Sequence, residues 1–409
     1  MKKLTDVYNI DKLLLDEIYN RASNSKPLYE HLGSTKPWPD FDQFKFLSNQ
    51  LHEFMSMEHT NIKTKTTIGS QAKRPMEIDI PLMITGMTYG VISGASKIAL
   101  AKAAALVGTS SNSDEGGFQL EEREIAPKYV VQYNRGNYCN EENHLKLADM
   151  IELKWVQGAN PGTLDFKKAS EITEELSILR GLDPGEDSYM PPHHRNISSH
   201  KNLKKTVEWL KEITEGVSIS IKICGSRIKE DIDVAIYASA DVIVMDGAQG
   251  GTGGSLLLIE NDFGLPTMYS TSIAAEYLKK KEMEDKVSLI IAGGIRTPGD
   301  IMKALALGVD AIYSCKLFLL AITLPMSRDE VFINKPLQLI HYNVPENSLF
   351  DTDKGSNSLA NYMKACMEEK KMGCGLLSID DVHKLNKNHM YSLSEQVSKA
   401  TGVKYVTEI

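Results

Sequence analysis

Apolar strand-like segments alternate with helix-like segments along the middle of the chain. The predicted strands are 80–87, the start of 108–115, 129–133, 151–157, 217–224, 241–245, 287–292 and 311–315. The predicted helices are 93–107, 169–179, 202–213, 229–238, 272–281 and 298–307. Ser93 is the predicted N-cap of the first helix. This alternation, sustained over about 240 residues, predicts a (β/α)8 TIM barrel.

A doubly wound α/β sheet is the main alternative to the barrel. Such a sheet normally places its glycine-rich turn after the first strand. Here the glycine-rich turns follow late strands: one lies within 246–255, and Gly293-Gly294 forms the other. Because barrels commonly bind phosphate at late turns, this order favours the barrel. The turns also predict a large ligand held close to the backbone at the carboxyl ends of the strands.

Two flanking segments differ from this alternating region. Residues 1–75 predict a helical N-terminal extension, interrupted near Trp38 by three prolines. Residues 76–328 form the predicted barrel, and the polar residues 329–409 predict a C-terminal helical extension. That last segment has the character of a cap or an oligomer arm, so a homo-oligomer is expected.

Composition and charge narrow the function further. The chain has 409 residues, 42% of them hydrophobic and 24% charged, which is typical of a globular protein. A net charge of −8 without a basic block argues against nucleic acid as a partner. The longest apolar run, 317–324, is too short to span a membrane, and the first residues lack the apolar core of a signal peptide. Five scattered cysteines without a CxxC pair predict a reducing cytoplasm and no zinc site.

One predicted strand carries a lysine on its polar face, opposite the face that carries its isoleucines. In 218–224 the isoleucines share one face, and Ser218, Ser220, Lys222 and Cys224 share the other. Outward barrel positions pack against helices and are apolar, so Lys222 is predicted to point into the barrel near its carboxyl end. A buried cation needs an anionic or electron-rich partner. Lys222 therefore either contacts a ligand or pairs with a barrel carboxylate.

Other polar segments leave two interpretations open. Gln157 could bind a flat heterocycle or cap a loop. The carboxylates within 112–117 could belong to a site or to a surface turn. Pro191-Pro192-His193-His194-Arg195 is a rigid loop suited to positioning a substrate, whereas an isolated pair of histidines rarely binds a metal. Cys315 is predicted to be a small buried residue whose neighbouring backbone could bind phosphate.

Taken together, these segments resemble the central FMN-binding domain of glutamate synthase and its stand-alone relatives. The resemblance extends over roughly 60–325. The segments that carry it, in the family's order, are Thr67-Ile68-Gly69, Ile80-Pro81-Leu82, Gly86-Met87-Thr88-Tyr89-Gly90, 110–117 (like S-N-x-G-E-G-G), 157–162 (like Q-G-A-K-P-G), 191–194 (P-P-H-H), Ser220-Ile221-Lys222 (like S-V-K) and 250–253 (G-G-T-G).

The resemblance implies a set of roles for individual residues. The implied FMN cradle comprises Met87, Thr88, Gln157, Lys222, Gly250, Gly251, Thr252, Gly293, Gly294, Ser314 and Cys315. Lys222 would lie near the flavin N1/C2 carbonyl and stabilise the anionic reduced ring. Lys222, Glu115, Gln157 and His193 are expected to serve catalysis. Asn160, His194 and Arg195 are expected to contact the substrate, and no metal is expected.

The resemblance also implies a reaction, with departures from the family pattern. The implied activity is that of an FMN-dependent oxidoreductase acting on the C–N bond of an amino or imino acid. Asn160 stands where the family has a lysine for the 2-oxo acid carboxylate, and Gln249 replaces an acidic residue. We expect neither glutaminase activity nor an iron–sulfur cluster. Nitrogen and electrons are then expected from free ammonia, the substrate or a separate subunit.

Two other functions remain open at this point. The altered loop 160–166 suits an FMN barrel of another chemistry, such as a 2-hydroxy acid oxidase or a flavin isomerase. The absence of the family's substrate-binding lysine at position 160 and of the cysteines for an iron–sulfur cluster suits a non-catalytic flavin-binding subunit.

Overall fold

The computed structural model describes residues 12–25, 27–30, 34, 36–55, 61–138, 140–158, 160–162, 165–252, 254–326 and 336–409. Several sequence predictions fall outside these described residues: residues 1–11 and 329–335 of the two extensions, Cys139, and Gly253 of the glycine run.

Eight parallel strands form one sheet in which neighbours in the chain are neighbours in space. They are β1 Leu82–Ile84, β2 Ser110–Asn112, β3 Lys128–Tyr133, β4 Met150–Lys154, β5 Ser218–Cys224, β6 Val242–Asp246, β7 Ser288–Ala292 and β8 Ala311–Ser314. The last strand pairs with the first. Beside β2, the hydroxyl of Thr109 donates to the carbonyl of Leu82 in β1. The sheet is therefore a near-closed barrel, so the (β/α)8 prediction is confirmed and the doubly wound alternative is wrong.

Most of the described helices follow the barrel strands and cover the outside of the barrel; the first precedes the barrel, and the last two belong to the C-terminal extension. The helices are α1 Lys12–Asn24, α2 Gly94–Val107, α3 Leu120–Ile125, α4 Glu142–Leu145, α5 Glu174–Arg180, α6 His200–Ile213, α7 Ile228–Tyr237, α8 Leu257–Asp262, α9 Thr267–Lys280, α10 Pro298–Ala306, α11 Lys316–Thr323, α12 Thr352–Leu376 and α13 Glu395–Thr401. The side chain of Ser93 accepts a hydrogen bond from the backbone N–H of Ser96, which confirms it as the N-cap of α2.

The alternation of side chains in β5 separates the barrel interior from the helix layer. Ile219, Ile221 and Ile223 belong to the large core between sheet and helices. Lys222 reaches across the interior to β8, where its Nζ lies 5.9 Å from the centroid of the Tyr313 ring. Since β6 and β7 separate β5 from β8 in the sheet, this contact is possible only through the interior. The predicted inward direction of Lys222 is confirmed.

A hairpin closes the amino end of the barrel. Its strands Thr66–Ile68 and Met76–Ile78 pair antiparallel and contribute three apolar side chains to the interior cluster. The backbone N–H of Gly69 donates to Ser288 Oγ at 3.0 Å, and Ser218 Oγ donates to the Ile68 carbonyl at 3.2 Å. A ligand must therefore enter from the carboxyl end. The boundary predicted at residue 75 falls in the turn of this hairpin.

The described parts of the two extensions pack on the barrel and on each other. Beyond α1, the N-terminal extension is mostly non-helical, because Pro37 and Pro39 interrupt it and a β-branched run forms the hairpin. Strand Phe44–Phe46 pairs with Met390–Ser392 of the C-terminal extension. The long helix α12 packs against α2. Within the described residues, no helix combines the length and the apolar character needed to cross a membrane.

Candidate functional site

Two lysines lie side by side at the carboxyl end of the barrel. Lys154, the last residue of β4, is the register partner of Lys222 in β5. Both side chains are nearly inaccessible to solvent. The Nζ of Lys222 lies 3.6 Å from Asp246 Oδ2 at the end of β6 and 3.4 Å from Thr85 Oγ1 beyond β1. Lys222 thus pairs with a barrel carboxylate, and it does so at the end where barrels bind their ligands.

The charge of Lys222 is set by three carboxylates. Burial by itself lowers the pKa of its ammonium group, but Glu152, Asp246 and Asp114 outweigh that effect and raise the pKa above its ordinary value. Lys222 therefore remains a cation over the whole physiological pH range, inside a barrel that excludes water. A fixed buried cation is suited to stabilising negative charge that develops on a bound ligand.

The loop after β2 brings two carboxylates to the second lysine. Lys154 Nζ lies 2.8 Å from Glu115 Oε1 and 3.5 Å from Asp114 Oδ1. The other oxygen of Glu115, Oε2, is buried and accepts no hydrogen bond from the described residues. Buried polar atoms are normally paired, so this oxygen is available to a donor that the ligand brings. The earlier alternative, a surface turn at 112–117, is wrong because 112–114 are buried.

A second polar layer lies two residues deeper along the strands of the same barrel. Gln132 Nε2 of β3 donates to Glu152 Oε1 of β4 at 2.6 Å. Sequence reasoning did not single out Glu152, Lys154 or Asp246, and it considered Asp114 only as one of the two carboxylates within 112–117. A signal existed for the first two, because the alternation that placed Lys222 inside also applies to 151–154.

Glycines allow the loops after β4, β6 and β7 to touch through their backbones. A Cβ atom on Gly158 would lie 2.0 Å from the carbonyl oxygen of Gly247. A Cβ on Gly293 would lie 2.8 Å from the same oxygen and 3.0 Å from the N atom of Gly250, which itself abuts Asp246. Gly293 also has a φ of +98°, which side chains rarely permit. The two glycine turns of the sequence thus form one surface beside the Lys222–Asp246 pair.

This surface has the character of a phosphate site. The backbone N–H groups of Gly293, Gly294 and Cys315 donate to no acceptor in the part of the chain that the structure describes. Cys315 stands at the N-cap position of α11. Free backbone N–H groups at glycine turns and at a helix N-terminus favour anions. Burial raises the pKa of the Cys315 thiol to about 12, so it contributes no charge.

The side chain of Gln249 connects the glycine run to neighbouring parts of the scaffold. Its Oε1 accepts from the backbone N–H of Thr267 at 2.7 Å, and its Nε2 donates to the carbonyl of Pro39 at 3.1 Å. Both polar ends of the amide are therefore committed to the scaffold. In the sequence, Gln249 in place of an acidic residue suggested a changed substrate site. In the structure, its side chain holds the glycine run in place.

Replacing Gln249 by alanine is expected to loosen the glycine run and weaken ligand binding about five- to tenfold, because two partly buried hydrogen bonds are lost. Equilibrium titration of the protein with FMN measures this change. The matched control is Gln396→Ala, on the exposed face of α13. Equal affinities for both variants would show that Gln249 does not shape the run.

The remaining predicted cofactor residues lie around the same opening. Thr88 Oγ1 donates to Asp114 Oδ2, and the Met87 carbonyl accepts from the buried Lys97 ammonium at 3.2 Å. Gln157 Nε2 donates to Thr252 Oγ1 at 2.9 Å and so links the β4 loop to the glycine run. Gly250 and Gly251 belong to the turn after β6, and Ser314 is the last residue of β8.

The residues predicted to contact substrate are more dispersed. Asn160 Oδ1 accepts from the backbone N–H of Gly162 at 3.2 Å, which shapes its own loop. His194 is buried, its ring stacks on Tyr133, and its Nε2 donates to the Lys154 carbonyl at 2.9 Å. Burial lowers the pKa of His194 to about 4, so the ring is neutral at physiological pH.

His193 and Arg195 flank it on the exposed side of the loop, where the Arg195 guanidinium lies over the Tyr189 ring. No described group of three His, Cys, Asp or Glu side chains is arranged to hold a metal ion.

The architecture and the polar cluster define a (β/α)8-barrel protein with a ligand site at the carboxyl ends of its strands. A family model described as the conserved region in glutamate synthase matches residues 22–380, and the chain belongs to this family. The resemblance seen in the sequence motifs is confirmed.

Individual relatives and solved structures agree with this assignment. The chain is 33% identical over 305 residues to a glutamate synthase large subunit-like protein of Rhizobium meliloti, covering 74% of this chain and 69% of that protein. It is 30% identical over 354 residues to an archaeal-type glutamate synthase (NADPH) of Thermotoga maritima, covering 85% and 69%.

Two flavoenzyme structures share the fold. A flavocytochrome b2 mutant with pyruvate bound has a TM-score of 0.56 at 17% identity, covering 87% of this chain and 77% of that one. A mandelate oxidase mutant with an FMN adduct has a TM-score of 0.52 at 14% identity, covering 85% and 88%. At these identities the likeness concerns the fold alone.

Proposed function

We propose that this protein binds FMN and is an oxidoreductase that acts on the C–N bond of an amino or imino acid. The observation that carries the proposal is the Lys222 ammonium, buried inside the barrel at the carboxyl end and adjacent to the glycine turns. Family membership and the shared barrel of flavoenzymes support it.

The donor set at the opening fits FMN. The backbone N–H groups of Gly293, Gly294 and Cys315, which have no acceptor among the described residues, suit the phosphate. The cradle formed by Gly158, Gly247 and Gly250 leaves no room for side chains and lets backbone approach a flat ring. Lys222 supplies a positive charge for the ring. When bound, FMN would supply the ability to accept or donate a hydride.

The residues of the chain then have separate roles in the proposed reaction. Lys222 would hold positive charge beside the bound ring and so favour its anionic reduced form. The hairpin closes the amino end of the barrel against water. Glu115 Oε2 accepts a hydrogen bond from the substrate nitrogen, while its Oε1 stays on Lys154. A carboxylate in this position orients an amine or iminium group by charge-assisted hydrogen bonding. Nitrogen and electrons come from the substrate or from a separate protein.

The proposal predicts two measurable properties of the purified chain. It should contain FMN or take it up stoichiometrically, and the flavin should be reduced anaerobically by an amino acid or reoxidised by a 2-oxo acid with ammonia. Glu115→Gln should keep FMN and lose about 10- to 100-fold in kcat/KM, the scale of one charge-assisted hydrogen bond. The matched control is Glu121→Gln on the exposed start of α3.

Other outcomes would overturn the proposal in different ways. Absence of any flavin affinity would remove the cofactor assignment. Rapid reduction by 2-hydroxy acids, with no response to amino acids, would instead favour an oxidase of that class.

A further inference from the structure

Asp114 occupies an unusual place at the centre of the site. Its side chain is 5% exposed, and its backbone has a φ of +57°, a left-handed conformation that residues other than glycine adopt only at a cost. Its backbone N–H donates to Asn112 Oδ1 at 2.8 Å, which holds the loop in this form. The conformation aims the carboxylate into the barrel opening.

The surroundings of this carboxylate are those of an anion site. Lys154 Nζ lies 3.5 Å from Oδ1, and the hydroxyl of Thr88 donates to Oδ2. Burial by itself would raise the pKa of Asp114, but Lys154, the Thr88 hydrogen bond, Lys97 and Lys222 lower it below its ordinary value. Asp114 is therefore an anion at neutral pH, and it satisfies positive charge that would otherwise attract an external anion.

The loop after β1, which faces Asp114, has room for the Asp114 side chain because it carries a glycine, Gly86, at this point. A Cβ atom on Gly86 would lie 2.5 Å from Asp114 Oδ1 and 2.9 Å from Gln132 Nε2. The loop after β1 is thus shaped around the carboxylate. The positive φ of Asp114, the contacts to both of its carboxylate oxygens and the absence of a side chain at Gly86 all hold the carboxylate in this one position.

We propose that Asp114 is a built-in carboxylate that fills the anion position of this site and so selects substrates that bring no second carboxylate to it. The reacting molecule is then a neutral or cationic amine or a monocarboxylate amino or 2-oxo acid, rather than a dicarboxylate. The statement about substrate choice rests on the proposed function. The occupied anion position does not, because it is a property of the protein without any cofactor.

The balance of charge in the opening supports this selection. The lysines Lys154 and Lys222 face the carboxylates of Asp114, Glu115 and Asp246 within ion-pair distance. An added carboxylate from a substrate would meet negative charge already in place, and like charges in a desolvated site repel strongly.

The test replaces Asp114 by glycine, which removes the carboxylate and relieves the positive φ. Calorimetric titration with acetate, as a stand-in for the missing side chain, should show binding to Asp114→Gly that weakens with salt. With 2-oxoglutarate, Kd should fall at least about tenfold relative to wild type, since like-charge repulsion is removed. With pyruvate, the change should be smaller.

Two further variants keep the result interpretable. Asp114→Asn retains the shape and loses the charge, and it should gain 2-oxoglutarate affinity if the glycine variant fails to fold. Asp310→Asn removes a partly buried carboxylate before β8 at the opposite end of the barrel and should gain no anion binding.

Two results would overturn the inference: tight binding of 2-oxoglutarate by wild type, or a folded Asp114→Gly that binds acetate and 2-oxoglutarate no better. Because the titrations are also run on flavin-free protein, they remain decisive if FMN binding fails, and failure of FMN binding would count against the proposed function alone.

Discussion

Replacing Lys222 by methionine is expected to lower the reduction potential of bound FMN by about 30 mV or more. Reduction adds negative charge to the flavin ring, and the buried ammonium stabilises that charge. For a two-electron couple, about 30 mV corresponds to about 1.4 kcal/mol, a modest value for a cation in a desolvated site. Redox titration against a dye of known potential measures the shift. Lys222→Arg keeps the charge and should move the potential less.

The same substitution also affects the folded state. It leaves Asp246 without the ammonium that lies 3.6 Å away, and breaking a buried pair commonly costs about 3–5 kcal/mol. The control lies at the amino end of the barrel, where Lys211 of α6 pairs with Asp241, the residue before β6, at 2.7 Å. Lys211→Met removes a partly exposed lysine–aspartate pair far from the opening and should leave the potential unchanged. An unchanged potential in a folded, FMN-loaded Lys222→Met would sink the assigned role.

The sequence determined the barrel and Lys222 because both follow from simple periodicities. Alternation of strands and helices specifies the barrel, and the period of two in β5 specifies which face is inside. The same rule applied to β4 would have placed Glu152 and Lys154 inside as well. The period of two holds over 151–154 and is broken only by the consecutive apolar residues Trp155-Val156.

Other parts of the site depend on tertiary contacts that no local pattern carries. The role of Asp114 follows from its positive φ and from lysines on three different elements. The role of Gln249 follows from Pro39 and Thr267, which are distant in the chain. His194 looked like a substrate contact because its motif stands on a polar loop, but the ring packs under that loop against Tyr133 and Trp155.

Helix α12 shows a local pattern that sequence reasoning passed over. Leu359, Met363, Cys366 and Cys374 form its buried stripe, and Lys370 falls on the same stripe, one turn from each cysteine. The side chain of Lys370 is fully buried, and its Nζ has no hydrogen-bond partner among the described residues. Burial lowers the pKa of this ammonium group from 10.5 to about 7.

Replacing Lys370 by methionine is therefore expected to stabilise the protein by about 4 kcal/mol at pH 7, as 1.36 kcal/mol per pKa unit implies. Between about pH 7 and 10.5 the unfolded lysine binds a proton that the folded one does not, so wild-type stability rises with pH. The advantage of Lys370→Met should accordingly shrink towards zero near pH 10.5. Denaturant unfolding at several pH values measures this, with Lys371→Met, which removes a partly exposed pair with Glu368, as the control. Parallel pH profiles for wild type and Lys370→Met would mean that the ammonium group is solvated in the folded protein.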